Sequence, residues 1–380
     1  MGQTHASFAD RWVLTRLPFT SPKMLTVFTP SFADEADTNA QNLTVKEVAA
    51  RLSPEQFRLV MLYENSPDPR IASRPNTRLL RWHKRGNTLR ILMDCLRNVP
   101  DVYFFPRVGP LDAAFLSLRK HLRLKTAVVT YIVSGGLYNP EPVPAKLARN
   151  VREADVVFCN AKYLCELVRE RLGCDAGIRY DGIDRRFYFP PRQPRSAPAE
   201  SSSNRLTVLF AGSLRPYKRT PMVIQQAARW PNVDFRIAGR GEEEQKCRDL
   251  AAKSGCGNVT FLGHLSSQEL GEEMRRADLF FFPSILEGHP QVLLQAAASG
   301  LPAIALNIYR PEYVVHEKTG FLAATDDELQ PALDLLIRDR QLRHAMSEAA
   351  VNHALQFDWA KITRQWEEAF LEAVDRRRAR

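Results

Sequence analysis

The stretch that decides the fold is residues 277–306, which read ADLFFFPSILEGHPQVLLQAAASGLPAIAL. Two short apolar runs, 278–284 and 302–306, flank an alanine-rich segment that covers 290–300. The apolar runs have the length of buried strands, whereas the middle segment has an early proline and closes on Gly300, as helices do. This strand–helix–strand unit predicts a parallel sheet that is covered by helices.

The same alternation continues on the upstream side of this unit. Within the second half of the chain, the pattern predicts strands at 206–212, 233–239 and 259–263 and helices at 220–230, 242–255 and 267–277. Within the first half, it predicts strands at 25–28, 57–63, 101–105, 126–133 and 154–160 and helices at 42–52, 111–122 and 162–173. The fold class is therefore α/β, with two Rossmann-like halves, each a doubly wound parallel sheet.

A segment with almost no core residues separates the two halves. Residues 190–205, PPRQPRSAPAESSSNR, are rich in proline and serine and predict an inter-domain linker. The predicted organisation is an extension at 1–23, a first domain at 24–190, a linker at 191–205, a second domain at 206–355, and a last helix with a basic tail at 356–380. Ligands of such sheets bind beyond the carboxyl ends of the strands, so the site is expected in the cleft between the domains.

Composition excludes several classes of protein. The chain has 380 residues, of which 44% are hydrophobic and 25% charged, as in an ordinary globular protein with a core. No run approaches the roughly 20 apolar residues of a spanning helix, and the first 23 residues lack a signal-peptide core. The six cysteines form no C-x-x-C pair, so they predict reduced thiols and no metal site. The expected location is the cytoplasm.

The positive charge of the chain is concentrated in one region. The formal net charge is +10, and residues 65–125 contain 13 basic residues against four acidic ones. Trp82, Leu89 and Leu92 are interleaved with these charges, a combination typical of a helix on an anionic membrane surface. The alternative is a solvated helix face beside an ordinary core stripe. Nucleic acid is disfavoured because the aromatic residues do not form stacking platforms.

Several common cofactor motifs are absent. The first strand leads into TPSFADEADTNAQN, which has no G-x-G-x-x-G for a dinucleotide. Gly239-Arg240-Gly241 follows a strand, but three glutamates come next, and these favour a plain strand-to-helix turn. There is no P-loop, no G-x-S-x-G and no D-x-D after a strand. The sequence therefore predicts neither a bound cofactor nor a metal ion.

The residues that could carry chemistry lie in two clusters of the second half. The first, GSLRPYKR at 212–219, follows a strand end, where Arg215 and Lys218 could neutralise a diphosphate. The second opens with Glu287 and continues into the helix at 290–300, whose early N–H groups favour an anion. Taken alone, the first cluster is equally compatible with a surface turn. Isolated residues such as Glu287 and Gln295 of the second cluster are more often structural.

Together with RIAGRGEEE (236–244), VTFLGHLSSQEL (259–270) and PEYVVHEKTGFL (311–322), these clusters resemble glycosyltransferase family 4. The resemblance is strong over about 205–360, and FDWAKITRQWEEAF (357–370) is similar to the family's C-terminal helix. It implies the GT-B fold, in which two Rossmann-like domains face a central cleft and the last helix crosses back to the first domain. It also implies a retaining, metal-independent transfer of a sugar from a UDP- or GDP-sugar to a hydroxyl acceptor, such as a lipid-linked or cell-envelope glycan.

The resemblance also implies roles for individual residues. Lys218 would contact the donor diphosphate, Glu287 the hydroxyl groups of the donor sugar, and Gln295 the ribose. The other expected donor-binding residues are Gly212, Ser213, Arg215, Gly263, Pro290, Gln291 and Val292. The anionic acceptor side is expected on the basic first domain, with the inner face of a membrane as a partner surface.

The sequence departs from the family pattern at two of these positions. Ser213 stands where the family usually has arginine, and Gln295 replaces the second glutamate of its Glu-x7-Glu motif. Glutamine still accepts a hydroxyl hydrogen bond but loses the charge that strengthens it. These departures leave open a GT-B-fold binding or scaffold protein without efficient transfer, and a third class of GT-B chemistry, such as epimerisation or phosphorolysis.

Overall fold

The computed structural model describes residues 24–35, 40–83, 87–104, 109–133, 137, 142–191 and 205–379. The predicted extension at 1–23, most of the linker and residues 134–136 lie outside them. The first half forms strands β1 (Leu25–Phe32), β2 (Phe57–Tyr63), β3 (Thr77–Arg81), β4 (Val102–Phe104), β5 (Ala127–Ile132), β6 (Val156–Cys159) and β7 (Gly177–Ile178). Its helices are α1 (Ala40–Arg51), α2 (Pro69–Ala72), α3 (Asn87–Arg97), α4 (Pro110–His121), α5 (Ala145–Glu153) and α6 (Lys162–Leu172).

The second half repeats the alternation. Its strands are β8 (Thr207–Ala211), β9 (Asp234–Ala238), β10 (Val259–Gly263), β11 (Leu279–Phe282), β12 (Ala303–Leu306) and β13 (Gly320–Ala323). Its helices are α7 (Thr220–Arg229), α8 (Glu244–Lys253), α9 (Ser267–Arg276), α10 (Gln291–Ala298), α11 (Asp326–Arg338), α12 (Arg340–Ala354) and α13 (Trp359–Ala379).

Both sheets are parallel and doubly wound. Their strand orders are β3-β2-β1-β4-β5-β6-β7 and β10-β9-β8-β11-β12-β13, and every strand pair between these neighbours is parallel. The order reverses between β1 and β4 in the first sheet and between β8 and β11 in the second. Reversal leaves a crevice at the carboxyl ends of those strands, where such sheets bind ligands. The two-domain α/β prediction is confirmed.

The last helix belongs to the first domain. Trp359, Trp366 and Phe370 of α13 are at most 5% exposed and pack with the β1, β2 and β5 residues of the first domain's core. The basic end is helical to Ala379, and Arg378 there lies 3.1 Å from Asp101. The crossing of this helix is the GT-B feature that the family resemblance implied.

The segment after β7, where the chain leaves the first domain, is held by a buried carboxylate. Asp181, which follows β7 and is 2% exposed, accepts hydrogen bonds from the Thr44 hydroxyl (2.5 Å), the Tyr131 hydroxyl (2.9 Å) and the Asn160 amide (2.9 Å). The next residue is Gly182, and a Cβ atom there would lie 2.4 Å from the Trp359 ring. The two segments that join the domains therefore pack on each other so closely that only glycine fits between them.

The basic region 65–125 forms several elements, among them strand β3 and helices α3 and α4. Part of it forms β3, an edge strand whose Arg81 is exposed, and charged edges discourage pairing with other chains. Leu92 is buried and Trp82 packs on the core, whereas Leu89 is 66% exposed. Within the described ranges, no helix is both long and apolar enough to span a bilayer. The sequence pattern did not predict β3 or α3, because arginines occupy exposed positions of both the strand and the helix.

Candidate functional site

The two residues expected to act on the donor meet at the reversal point of the second sheet. Lys218 lies on the segment between β8 and α7, and Glu287 lies on the segment between β11 and α10. Lys218 Nζ is 2.6 Å from Glu287 Oε1, and the two side chains are 12% and 11% exposed. Residues 69 positions apart are thus joined in an ion pair beyond the carboxyl ends of adjacent strands.

The surroundings of this ion pair hold it in place. The Ser284 hydroxyl donates to Glu287 Oε1 and is within 3.2 Å of the Tyr217 carbonyl oxygen. Lys218 Nζ lies 4.9 Å from the centre of the Phe282 ring, a cation–π distance. An ammonium group has three N–H donors, so one bond to Glu287 leaves donors for an anionic ligand. The cation is therefore pre-positioned, with little ordering left for the ligand to impose.

Glycines line the strand ends beside this pair. Gly212 follows β8, and a Cβ atom there would lie 3.7 Å from Lys218 Cδ. Gly239 follows β9 with φ at +134°, and its Cβ atom would lie only 1.8 Å from the Gly212 carbonyl oxygen. Gly263 ends β10 and accepts a hydrogen bond from Gly239 N at 2.7 Å. These close backbone approaches place the three glycines side by side along one edge of the sheet.

Two further cations are exposed along the same edge. Arg215 precedes the 3₁₀ turn that contains Lys218, and in the described part of the chain it forms no ion pair. Arg240, which the sequence interpretation did not select, places its guanidinium 3.5 Å from the Cβ position of Gly263. Ser213, the departure from the family's arginine, is half-buried between β8 and Arg215. The edge therefore presents two cations, Arg215 and Arg240, that have no carboxylate partner among the described residues.

Helix α10 starts beside Glu287. It begins at Gln291, with Pro290 as its N-cap residue rather than its first helical residue, and no side chain caps it. The early N–H groups of a helix lack intrahelical partners, so those of Gln291 and Val292 favour an anion. Gln295 lies half-buried on the second turn. The structure thus joins Glu287 and the helix start at one strand end, and Gln295 stays on the same helix.

The sequence interpretation did not select three residues of this region, His289, Tyr309 and Glu312. His289 has a fully buried side chain whose Nε2 lies 3.0 Å from Glu312 Oε2. Burial raises the pKa of Tyr309 well above its usual value, and the charge of Glu287 acts in the same direction. Only PEYVV, the motif that contains Glu312, offered a signal, because it puts an acid beside buried apolar residues.

A metal site is not evident in this arrangement. Among the residues that the structure describes, no three histidine, cysteine, aspartate or glutamate side chains come together as ligands for an ion. Glu287 is engaged by Lys218 and Ser284. What the described residues offer a ligand is fixed positive charge and helix N–H groups, which suit phosphate oxygens.

Comparison with known proteins agrees with this chemistry. Residues 192–353 match the family "Glycosyl transferases group 1". An exopolysaccharide phosphotransferase of Streptomyces coelicolor is 33% identical over 199 residues, which are 50% of this chain and 21% of that protein. A D-inositol 3-phosphate glycosyltransferase of Mycobacteroides abscessus is 29% identical over 238 residues, 58% of this chain and 53% of that protein. The matches thus span about a fifth and about half of these relatives.

The fold has a solved counterpart over nearly its whole length. The crystal structure of HepE from Anabaena in complex with UDP-glucose has a TM-score of 0.70, with 18% sequence identity, and the match covers 92% of this chain and 100% of that one. At this identity the likeness establishes the fold alone. The chain therefore has the GT-B fold and resembles glycosyltransferase family 4, as its motifs predicted.

Proposed function

We propose that this protein is a retaining glycosyltransferase that moves a sugar from a nucleoside diphosphate to a hydroxyl acceptor. The observation that carries the proposal is the ion pair of Lys218 with Glu287, 2.6 Å long, at the reversal point of the second sheet. The start of α10 lies on the same segment as Glu287. A cation, a carboxylate and a helix N-terminus are the groups that a diphosphate and a sugar hydroxyl require.

The cations would act on the leaving group. Negative charge develops on the diphosphate as the bond between the sugar and the phosphate breaks. Lys218, the exposed Arg215 and the N–H groups of Gln291 and Val292 would stabilise that charge without a metal ion. The ion pair holds Lys218 in position before the donor arrives, so the free-energy cost of reorganising this group during the reaction is small. Such pre-organisation is what separates a catalytic cation from an exposed lysine.

Glu287 is better suited to binding than to nucleophilic attack. Retaining glycosidases place two carboxylates about 5 Å apart, one of them a free nucleophile. The carboxylate of Glu287 is already bonded to Lys218 and Ser284, and these bonds lower its reactivity. We therefore propose front-face attack: the acceptor oxygen bonds to the anomeric carbon as the phosphate leaves from the same face. The leaving phosphate takes the acceptor proton.

UDP-sugars are the first donors to test. The structurally similar HepE was solved with UDP-glucose, and the exposed cations here would suit any nucleoside diphosphate. The decisive screen measures sugar release and thermal stabilisation with UDP-, GDP- and ADP-sugars. A donor at about 100 times its dissociation constant should stabilise the protein by about 2.7 kcal/mol. Absence of both turnover and stabilisation with every donor would contradict the proposal.

The acceptor is proposed to sit on an anionic membrane surface that contacts helices α3 and α4. What we call the α3/α4 surface consists of exposed apolar and basic residues, namely Leu89, Arg90, Met93, Arg97, Lys120, Leu122, Arg123 and Lys125. The acids of the two helices do not oppose these charges. Asp94 is bound by Arg78 at 2.6 Å, and Asp112 is buried beneath the Tyr103 hydroxyl. Basic charge with a few apolar side chains favours anionic lipid.

Vesicle sedimentation tests this partner surface. The protein should bind vesicles that contain phosphatidylserine and should bind those of phosphatidylcholine alone much more weakly. High salt should release it, because exposed charges are screened. Equal binding to both vesicles, or binding to neither, would contradict an anionic membrane as the acceptor surface.

A further inference from the structure

The segment between β12 and β13 connects the loop that carries Glu287 to the first domain. Arg310, Glu312 and Tyr313 all lie on this segment, and each contacts a residue on the far side of the domain junction. Glu312 is central because its two carboxylate oxygens contact different domains. One faces the first turn of α6 and the other faces His289.

The contact with α6 supplies a cap that this helix lacks. Its N-cap residue is Ala161, which has no side-chain hydrogen-bond acceptor. Glu312 Oε1 accepts the backbone N–H of Lys162 at 2.8 Å instead, so the cap comes from the opposite domain. A carboxylate at a helix N-terminus satisfies an orphan N–H and interacts favourably with the helix dipole.

A second pair of side chains reinforces this contact. Arg310 Nη2 lies 2.9 Å from Glu166 Oε2, one turn further along α6. The Arg310 guanidinium also lies 5.4 Å from the centre of the Tyr163 ring. The side chains of Arg310 and Glu166 are 57% and 49% exposed, so this ion pair alone contributes little to the stability of the domain junction. It nevertheless marks the first turn of α6 as the docking point.

On its other side, Glu312 contacts His289 on the loop that carries Glu287. His289 is two residues after Glu287, its side chain is completely buried, and its ring centre is 3.8 Å from that of Tyr313. Burial acts to raise the pKa of Glu312, but the close contact with His289 and the hydrogen bond from the Lys162 N–H outweigh burial and lower that pKa. The carboxylate thus stays ionised between its two partners.

We propose that Glu312 is a positioning residue that couples docking of the first domain to the placement of Glu287. When the start of α6 donates to Glu312, the carboxylate is held against His289, and the loop that carries Glu287 is held with it. When the domains separate, the carboxylate loses one anchor and the loop gains freedom. The role of this coupling in sugar transfer rests on the function proposed above, whereas the coupling itself does not.

A single substitution in the first domain isolates the contact. Lys162→Pro removes the N–H that Glu312 accepts, and proline fits the first position of a helix. Ala161 already has φ −141° and ψ 146°, the extended conformation that a residue before proline prefers. Lys162→Ala is the matched control, because it loses the same side chain but keeps the N–H. Neither substitution touches the second domain.

Hydrogen exchange in the unliganded protein is the primary measurement. The amides of Ile285 and Leu293 flank the Glu287 loop and donate to the Tyr217 and Pro290 carbonyl oxygens. They should exchange about tenfold faster in Lys162→Pro than in Lys162→Ala, the change expected for the loss of one hydrogen bond. The amides of β9, within the core of the second domain, should be unchanged. Equal exchange of the Ile285 and Leu293 amides in both variants would overturn the coupling, whether or not the protein is a glycosyltransferase.

Transfer kinetics and the conservative variant complete the test. With UDP-glucose as the probe, Lys162→Pro should lower kcat about tenfold relative to Lys162→Ala, while UDP affinity changes less than twofold. Glu312→Gln retains an acceptor for the Lys162 N–H and should keep most of the rate that Glu312→Ala loses. Equal rates for Glu312→Gln and Glu312→Ala would overturn the positioning role. Failure of the wild type to bind UDP counts against the proposed function, and the exchange result still decides the coupling.

Discussion

The two domains share one architecture but use their polar residues differently. In the first domain, Asp181 is 2% exposed, and its carboxylate accepts three hydrogen bonds that hold the segment after β7 in place. In the second domain, Lys218 and Glu287 remain partly exposed at a strand-order reversal, and the nearby segment carries the exposed Arg215. The first arrangement stabilises a junction, and the second retains bonding capacity for a ligand. The same sheet architecture can thus use its charged residues either to stabilise the fold or to bind a ligand.

Lys218→Ala should produce the largest effect, a loss of donor turnover. Removing one pre-organised group that stabilises developing charge typically lowers kcat about 10²- to 10³-fold. The fold should survive, because Glu287 is partly exposed and keeps Ser284 as a partner. Donor turnover and circular dichroism measure the two expectations.

The matched control for this variant is Lys246→Ala. Lys246 pairs with Glu243 at 2.7 Å but is 70% exposed on the surface of the same domain. Its removal should leave turnover within twofold. Near-normal turnover in Lys218→Ala would show that the Lys218–Glu287 pair, like the Asp181 network, serves the fold alone.

Gly239→Ala should be the next largest and acts on the scaffold of the site. A side chain at φ +134° is strained, and the new Cβ atom would lie 1.8 Å from the Gly212 carbonyl oxygen. We expect a loss of about 3 kcal/mol in the free energy of unfolding, measured with urea.

Gly255→Ala is the control for backbone strain alone. Gly255 also has a positive φ, +64°, but no atom lies within 4 Å of its Cβ position. Its substitution should cost about 1 kcal/mol. If the two alanine variants were equally stable, the tight packing of the strand ends beside Lys218 would not be needed.

Neutralising the α3/α4 surface should have an intermediate effect confined to the first domain. Arg90→Gln with Arg97→Gln removes two exposed charges, each worth about 1 kcal/mol near an anionic membrane. Binding to phosphatidylserine vesicles should weaken roughly 30-fold, while UDP affinity stays the same. A parallel loss of UDP affinity would contradict the division of labour between the domains.

Gln295→Glu should have the smallest effect and tests whether position 295 binds the ribose. Restoring the family's carboxylate strengthens the hydrogen bond expected to the ribose. We predict unchanged or up to about tenfold tighter UDP binding by calorimetry. Because Gln295 is half-buried on α10, the fold should tolerate the change. A large loss of UDP affinity would contradict the ribose role of position 295.

Much of the second domain could be predicted from sequence because its signals are local. The strand at Val259–Gly263 and the helices that follow β8 and β11 are where the apolar runs and glycines indicated. Strand β3 and helix α3 were missed, because arginines such as Arg78 and Arg90 mask the apolar periodicity. Element boundaries differ by a few residues, for example Pro290, which is the N-cap residue of α10.

The contacts within the site could not be predicted in the same way. The Lys218–Glu287 pair joins segments 69 residues apart, and the contact of Glu312 with Lys162 spans 150 residues and both domains. No periodicity records such contacts, since they depend on how two sheets and their loops meet in space. Motif order pointed to Lys218 and Glu287 through the family resemblance, but nothing in the sequence pattern paired Glu312 with His289.

The central claim is that Lys218 of the second domain holds the phosphates of a nucleotide. The most direct measurement is the thermal denaturation of the wild type and Lys218→Ala, each with and without UDP, GDP and ADP. If Lys218 holds these phosphates, at least one nucleotide should raise the melting temperature of the wild type, and most of this increase should disappear in Lys218→Ala. No increase with any of the three, or an equal increase in both proteins, would contradict it.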